Sequence, residues 1–112
     1  MSTPLLERHC QRDVARLDGT AARALLDELD PGWSLNDAGD AIVRTFRFKN
    51  YYRTIAFVNA LAWVAHDQDH HPDLNVGYNR CQVCFSTHSV GGLSDNDFIC
   101  AAHIDALGDD DA

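Results

Sequence analysis

The stretch from Asn50 to Pro72 restricts the possible folds of this chain more than any other. Tyr51, Ile55, Val58, Leu61, Ala62 and Ala65 recur at three- and four-residue steps, the spacing of one apolar stripe on a helix. Asn50 offers a side-chain acceptor to the first free amides and is a good N-cap. Proline pushes the residue before it out of the helical region, so the helix has to end at about Asp69 to His71. His70 and His71 then sit at a helix C-terminus or in the turn after it.

Both flanks of this helix alternate with the period of a strand. Trp33-Ser34-Leu35, the turn cluster Asn36 to Asp40, and Ala41 to Phe48 read as one hairpin. Leu74 to Tyr78, a tight turn at Asn79-Arg80, and Cys81 to His88 read as a second, which Gly91-Gly92 interrupts. A short helix starts at Asp18-Gly19-Thr20, carries Ala22, Leu25, Leu26 and Leu29, and stops at Asp30-Pro31-Gly32. Ser94 and Asp97 make a capping box for a last helix reaching about Leu107, with Gly108 ending it. The order α-β-β-α-β-β-α predicts an α+β fold: a four-stranded antiparallel sheet with helices packed on one face. The other face is solvated or covered by a second subunit. We expect a weakly ordered segment at residues 1–17, a single domain at 18–108 and an acidic tail at 109–112.

Charge and cysteine usage remove several classes of function. A formal charge of −8 disfavours sequence-independent nucleic-acid binding and anionic membranes, both of which need cationic surfaces. Polar residues from Glu7 to Asp13 stand where a signal peptide needs an apolar run, and no stretch is long and apolar enough to span a membrane. The expected location is the cytosol, with Cys10, Cys81, Cys84 and Cys100 as free thiols. Cys81 and Cys84 have CxxC spacing, but a strand directs positions i and i+3 to opposite faces.

Four of the six histidines, His66, His70, His71 and His88, fall within 23 residues. Histidine titrates near neutral pH, so convergence implies proton transfer, a metal or a pH-sensitive surface. His66 and His70 are i, i+4 on one helix face, and His66-Asp67-x-x-His70 resembles a metalloprotease helix with Asp in place of Glu. Only His88 could complete such a metal site. The acid–base reading fits better, since a helix end delivers His70 and His71 while a strand end delivers His88. Neutral imidazole accepts a proton and imidazolium donates one, so a pair can perform both halves of an elimination of water. Trp33 either floors such a cleft or packs in the core, and His9 and His103 are expected to be structural.

His66, His70-His71-Pro72, Tyr78, His88 and Asp97 resemble, in order and spacing, the motif of the pterin-4a-carbinolamine dehydratases. The likeness extends through Pro31-Gly32-Trp33, Phe46-Arg47-Phe48 and Ser86-Thr87-His88 to Gly92-Leu93-Ser94, over roughly residues 20–107. The resemblance implies loss of water from a 4a-hydroxytetrahydropterin, formed by an aromatic amino acid hydroxylase, to give the quinonoid dihydropterin. It implies no metal and no cofactor. It makes His70, His71 and His88 the active-site histidines: one protonates the departing hydroxyl, one accepts the N5 proton, one orients the pterin. Asp97 would orient a histidine and also cap the last helix, and Asp69 matches a common family acid. Departures are His66, where Glu is commoner, and Leu74, where several relatives carry a large aromatic. Relatives form homodimers or homotetramers. A non-catalytic binding or assembly module on the same fold is the alternative.

Overall fold

Apart from two short 3-10 turns, the elements are α1 (Gly19–Leu26), β1 (Ser34–Leu35), β2 (Ile42–Arg47), α2 (Tyr51–Gln68), β3 (Asp73–Val76), β4 (Arg80–Phe85) and α3 (Asp95–Asp105). They belong to a computed structural model that describes residues 3–108, so the acidic tail at 109–112 lies outside the described residues. The expected α-β-β-α-β-β-α order is the observed one, and the four strands form an antiparallel sheet in the order β1-β2-β4-β3.

The central pairing is β2 with β4, from Ile42 opposite Phe85 to Arg47 opposite Arg80. Strand alternation places Ile42 and Phe46 beside Phe85, Val83 and Cys81 on one face, and all five are buried. Leu61 and Val64 of α2 and Phe98, Ile99 and Ile104 of α3 complete the same core. A one-residue slip of either strand would send its whole apolar set to the opposite face, so burial pins this register. Cys81 is buried and Cys84 is not, because the two occupy opposite faces of β4.

Element ends differ from the sequence pattern: α1 closes at Leu26, short of Leu29, and both ends of β4 move. The turn between β3 and β4 lies at residues 77–79, closed by the Gly77 N–H donating to the Arg80 carbonyl at 2.8 Å. Arg80 is therefore a strand residue, aligned with Arg47. Strand β4 stops at Phe85 and not at His88, because its partner β2 begins at Ile42 and offers nothing beyond it. His88 opens a 3-10 turn at His88–Val90 instead.

Trp33 belongs to the core and is no cleft floor. It is 3% exposed, and its indole N–H donates to both carboxylate oxygens of Asp105, at 3.0 and 2.9 Å. Arg44, on the buried face of the sheet, reaches the same carboxylate at 2.7 Å and lies 4.3 Å over the Phe46 ring. Burial raises the Asp105 carboxyl above its ordinary range, outweighing the hydrogen bond from Trp33 and the charge of Arg44. The folded state thus holds that proton more tightly than the unfolded chain. The corresponding stabilisation is present at acid pH and lost as pH rises through the raised value. Asp105→Ala leaves a buried indole N–H without its acceptor and removes the 2.7 Å partner of Arg44. We expect about 2 kcal/mol of destabilisation, read as a lower urea midpoint at unchanged slope.

Residues 3–17 hold only one 3-10 turn, at Leu5–Glu7, yet long-range polar bonds anchor them. The Cys10 N–H donates to Gln68 Oε1 at 2.8 Å, and Gln11 exchanges two bonds with the Asn96 side chain at 3.0 and 2.8 Å. His9 Nδ1 meets the Gln68 amide nitrogen at 3.1 Å, and His103 Nε2 meets the Arg8 carbonyl at 2.9 Å. These two histidines bind the N-terminal segment to α2 and α3.

Candidate active site

The end of α2 places His70. Asp69 adopts a left-handed conformation at φ 52°, ψ 42°. The Asp69 N–H then donates to the His66 carbonyl and the His70 N–H to the Ala65 carbonyl, at 3.2 and 3.0 Å. This is a Schellman closure, which reverses the chain after the last turn and satisfies carbonyls the helix would leave free. Pro72 then prevents the helix from resuming. The His70 ring lies 5.9 Å from the Phe85 ring at 10°, stacked on the edge of the core.

A fully buried carboxylate meets the edge of that ring. Asp97 Oδ1 lies 2.6 Å from His70 Nε2. Its Oδ2 accepts the Ser94 N–H at 3.0 Å and the Thr87 hydroxyl at 2.8 Å. Since the Thr87 hydrogen is committed to Asp97, Ser94 Oγ donates to Thr87 Oγ1 across their 2.8 Å contact. The capping box of α3 and the support of His70 are one network. With Oδ2 taking the Ser94 and Thr87 hydrogens, Oδ1 is placed to accept from His70 Nε2, and a neutral ring in that tautomer leaves Nδ1 as acceptor.

His66, Asp69, His70 and His71 border one hollow of about 380 Å³ between the end of α2 and β3, with Leu61, Ala62, Pro72 and Leu74 as its apolar wall. His70 and Asp69 also border a second hollow of about 430 Å³, walled by Cys10, Gln11, Arg12, Val14, Thr87 and Ser89. His88 lines neither hollow and is exposed, although its neighbour Thr87 is the residue bonded to Asp97. The structure therefore brings His66, Asp69, His70 and His71 together, ties Asp97 to them, and sets His88 apart on the adjoining turn. Among the described residues, no three His, Cys, Asp or Glu side chains gather as metal ligands. His70 Nε2 is already engaged by Asp97.

Sequence reasoning passed over Thr87, Phe85 and the hydroxyl of Ser94 as parts of this arrangement. A signal existed for Ser94, since the capping box named it as the partner of Asp97. Thr87 fell within the family likeness but its tie to Asp97 did not show, and Phe85 carried no signal, because their partners are 10 residues after and 15 residues before them in the chain.

The sequence profile of a family described as pterin 4 alpha carbinolamine dehydratase matches residues 15–107. A Nitrosomonas eutropha protein, placed among these dehydratases by name, is 57% identical over 98 residues, covering 88% of this chain and 85% of its own length. A Stenotrophomonas maltophilia protein with the same kind of name is 65% identical over 89 residues, covering 80% of this chain and 77% of its own length. A crystal structure described as a transcriptional coactivator/pterin dehydratase from Brucella melitensis superposes with a TM-score of 0.78 at 35% identity. The match covers 82% of this chain and 97% of that one. A pterin dehydratase-like protein described as a RuBisCO assembly factor in the alpha-carboxysome gives a TM-score of 0.58 at 26% identity, over 68% of this chain and 88% of that one.

Proposed function

Since this chain belongs to the pterin 4 alpha carbinolamine dehydratase family, we propose that it removes water from a 4a-hydroxytetrahydropterin to give the quinonoid dihydropterin. The reaction breaks the C4a–O bond, takes the proton from N5 and delivers a proton to the departing hydroxyl. It needs one acceptor and one donor close to a flat heterocycle. The observation that carries this reading is the 2.6 Å contact of His70 Nε2 with buried Asp97, at the border of an apolar-walled hollow that also holds His71.

In this reading His70 is the base. Its Nδ1 takes the N5 proton, and the Asp97 carboxylate stabilises the imidazolium that forms. His71 or His88 supplies the proton to the leaving hydroxyl, while His66 and Asp69 hold the rim of the pterin. The product would be returned to the tetrahydro form by a reductase, in recycling of the pterin spent by an aromatic amino acid hydroxylase. No metal and no cofactor takes part in it. His70→Ala is expected to lower the rate of loss of a chemically generated 4a-hydroxytetrahydropterin by a few hundredfold at most, the ordinary scale of one proton-transfer group. A chelator is expected to make no difference. An unchanged rate in the variant would remove the role given to His70, and chelator sensitivity would favour a metal.

A homodimer or homotetramer belongs to the same reading. Leu74 and Val76 face the helix side of edge strand β3 but are 36% and 41% exposed, and Trp63 of α2 is 67% exposed. A second copy would bury this surface, and light scattering that returns a monomer at micromolar concentration would argue against it. A cytosolic location rests on four free cysteines, together with the fact that no helix among the described residues is long and apolar enough to cross a membrane. The RuBisCO assembly neighbour favours a second reading, a non-catalytic module on this fold. Wild-type protein that leaves the pterin untouched would point to it.

A further inference from the structure

We propose that Cys10 and Cys100 form a peroxide-responsive dithiol whose oxidation to a disulfide fastens the N-terminal segment to α3 beside His70. Their sulfurs lie 3.5 Å apart across 90 positions of sequence. Cys100 is buried in the middle of α3, whereas Cys10 is half-buried on a segment with no helix or strand around it. A disulfide needs sulfurs about 2 Å apart, so closure requires a shift of roughly 1.5 Å, which an irregular segment can supply while α3 stays in place.

The pair touches the candidate active site directly. Cys100 Sγ lies 3.7 Å from the His70 carbonyl, and Cys10 Sγ lies 3.6 Å from the Asn96 carbonyl. Cys10 also walls the second hollow that His70 borders, together with Gln11, Arg12 and Val14. None of these four wall residues falls within the family match at residues 15–107, whereas Cys100 does, so the link would join a segment outside the match to a helix inside it.

Order of attack follows from access. Within the pair, Cys10 is half-buried and borders the second hollow, whereas Cys100 is buried and its thiol is pushed up by the hydrogen bond with Cys10 and by burial. Peroxide therefore meets Cys10 before Cys100. The Cys10 thiolate attacks one oxygen of hydrogen peroxide, the O–O bond breaks, hydroxide leaves, and Cys10 becomes a sulfenic acid. The Cys100 sulfur gives up its proton and attacks that sulfur, forming the S–S bond as the S–O bond breaks. The departing hydroxide takes the proton. Two thiols and one peroxide become one disulfide and two waters, with two electrons passing from sulfur to peroxide. The cross-link removes the hydrogen that Cys100 shares with the His70 carbonyl and fixes one wall of the second hollow.

The test uses the whole chain, reduced, freed of reductant and treated with a few equivalents of hydrogen peroxide. Expected results are loss of two of the four free thiols, a mass lower by two hydrogens and a cross-linked peptide joining residues 10 and 100. Dithiothreitol should reverse all three. The oxidised form should melt about 5 °C or more above the reduced form, as closing so long a loop constrains the unfolded chain. Cys10→Ser should show none of these changes. In Cys100→Ser, Cys10 should stop at the sulfenic acid and be captured by dimedone. Intact thiols, oxygen added at Cys10 without a bridge, or a bridge to Cys81 or Cys84 would each overturn the proposal. Mass, thiol count and melting do not depend on the dehydratase reading, so the two stand or fall separately.

Discussion

Asp97→Asn is expected to keep the fold and to cut dehydration at least a hundredfold. The native carboxylate accepts from the Ser94 N–H, the Thr87 hydroxyl and His70 Nε2. Asparagine has one carbonyl oxygen, and it must serve Ser94 and Thr87, because an amide NH2 there would face two donors. The NH2 is thereby directed at His70 Nε2 and reverses that hydrogen bond. Nε2 becomes the acceptor, the ring proton moves to Nδ1, and the nitrogen assigned to receive the N5 proton is no longer vacant. The same tautomer reversal accounts for the large loss when a triad aspartate becomes asparagine. Asp97→Ala differs: it strands three donors in a buried place and should cost about 3–5 kcal/mol of stability. Circular dichroism and steady-state rates on both variants separate the two effects. A well-folded Asp97→Asn protein within threefold of the wild-type rate would show that the tautomer of His70 does not matter.

Phe85→Ala should give the largest loss of stability among single core changes near the site. Phe85 is fully buried, packs 6.1 Å from the Trp33 ring, and carries the His70 ring stacked 5.9 Å away. Truncating a buried phenylalanine costs about 3–5 kcal/mol, so the melting temperature should fall by more than 10 °C. Phe85→Leu keeps most of the volume and removes the flat surface. It should lose less stability and still slow the reaction if the stack sets the angle of His70. Thermal melts combined with rates on the two variants check this. Equal rates for Phe85→Leu and wild type would leave Phe85 with a packing role alone.

Local pattern reveals what neighbours in sequence decide. The end of α2, the capping box at Ser94 and Asp97, and the alternation of β2 and β4 are all set by residues within about one turn or one strand of each other. These carry the fold class and the placement of His70, His71 and Asp97. What stayed hidden depends on distant partners. Strand β4 ends where β2 begins, a fact that Phe85 cannot announce. Trp33 goes into the core because Asp105, 72 residues later, accepts its indole hydrogen. The polar segment before α1 looks unspecified because Gln68 and Asn96 hold it through a few side-chain bonds, which leave no periodic trace. His88 matches the motif by spacing, yet the end of β4 sets it on a 3-10 turn outside both hollows.

The left-handed residue at the end of α2 limits which codons position 69 can use before any chemistry is considered. At φ 52° a side chain without branching at Cβ, or none, is tolerated, so glycine, asparagine and aspartate fit while valine, isoleucine and threonine are strained. Stereochemistry thus permits an acid just ahead of the paired imidazoles but would accept asparagine as readily. Only a swap to asparagine, which keeps the bend and discards the charge, tells a reagent from a hinge.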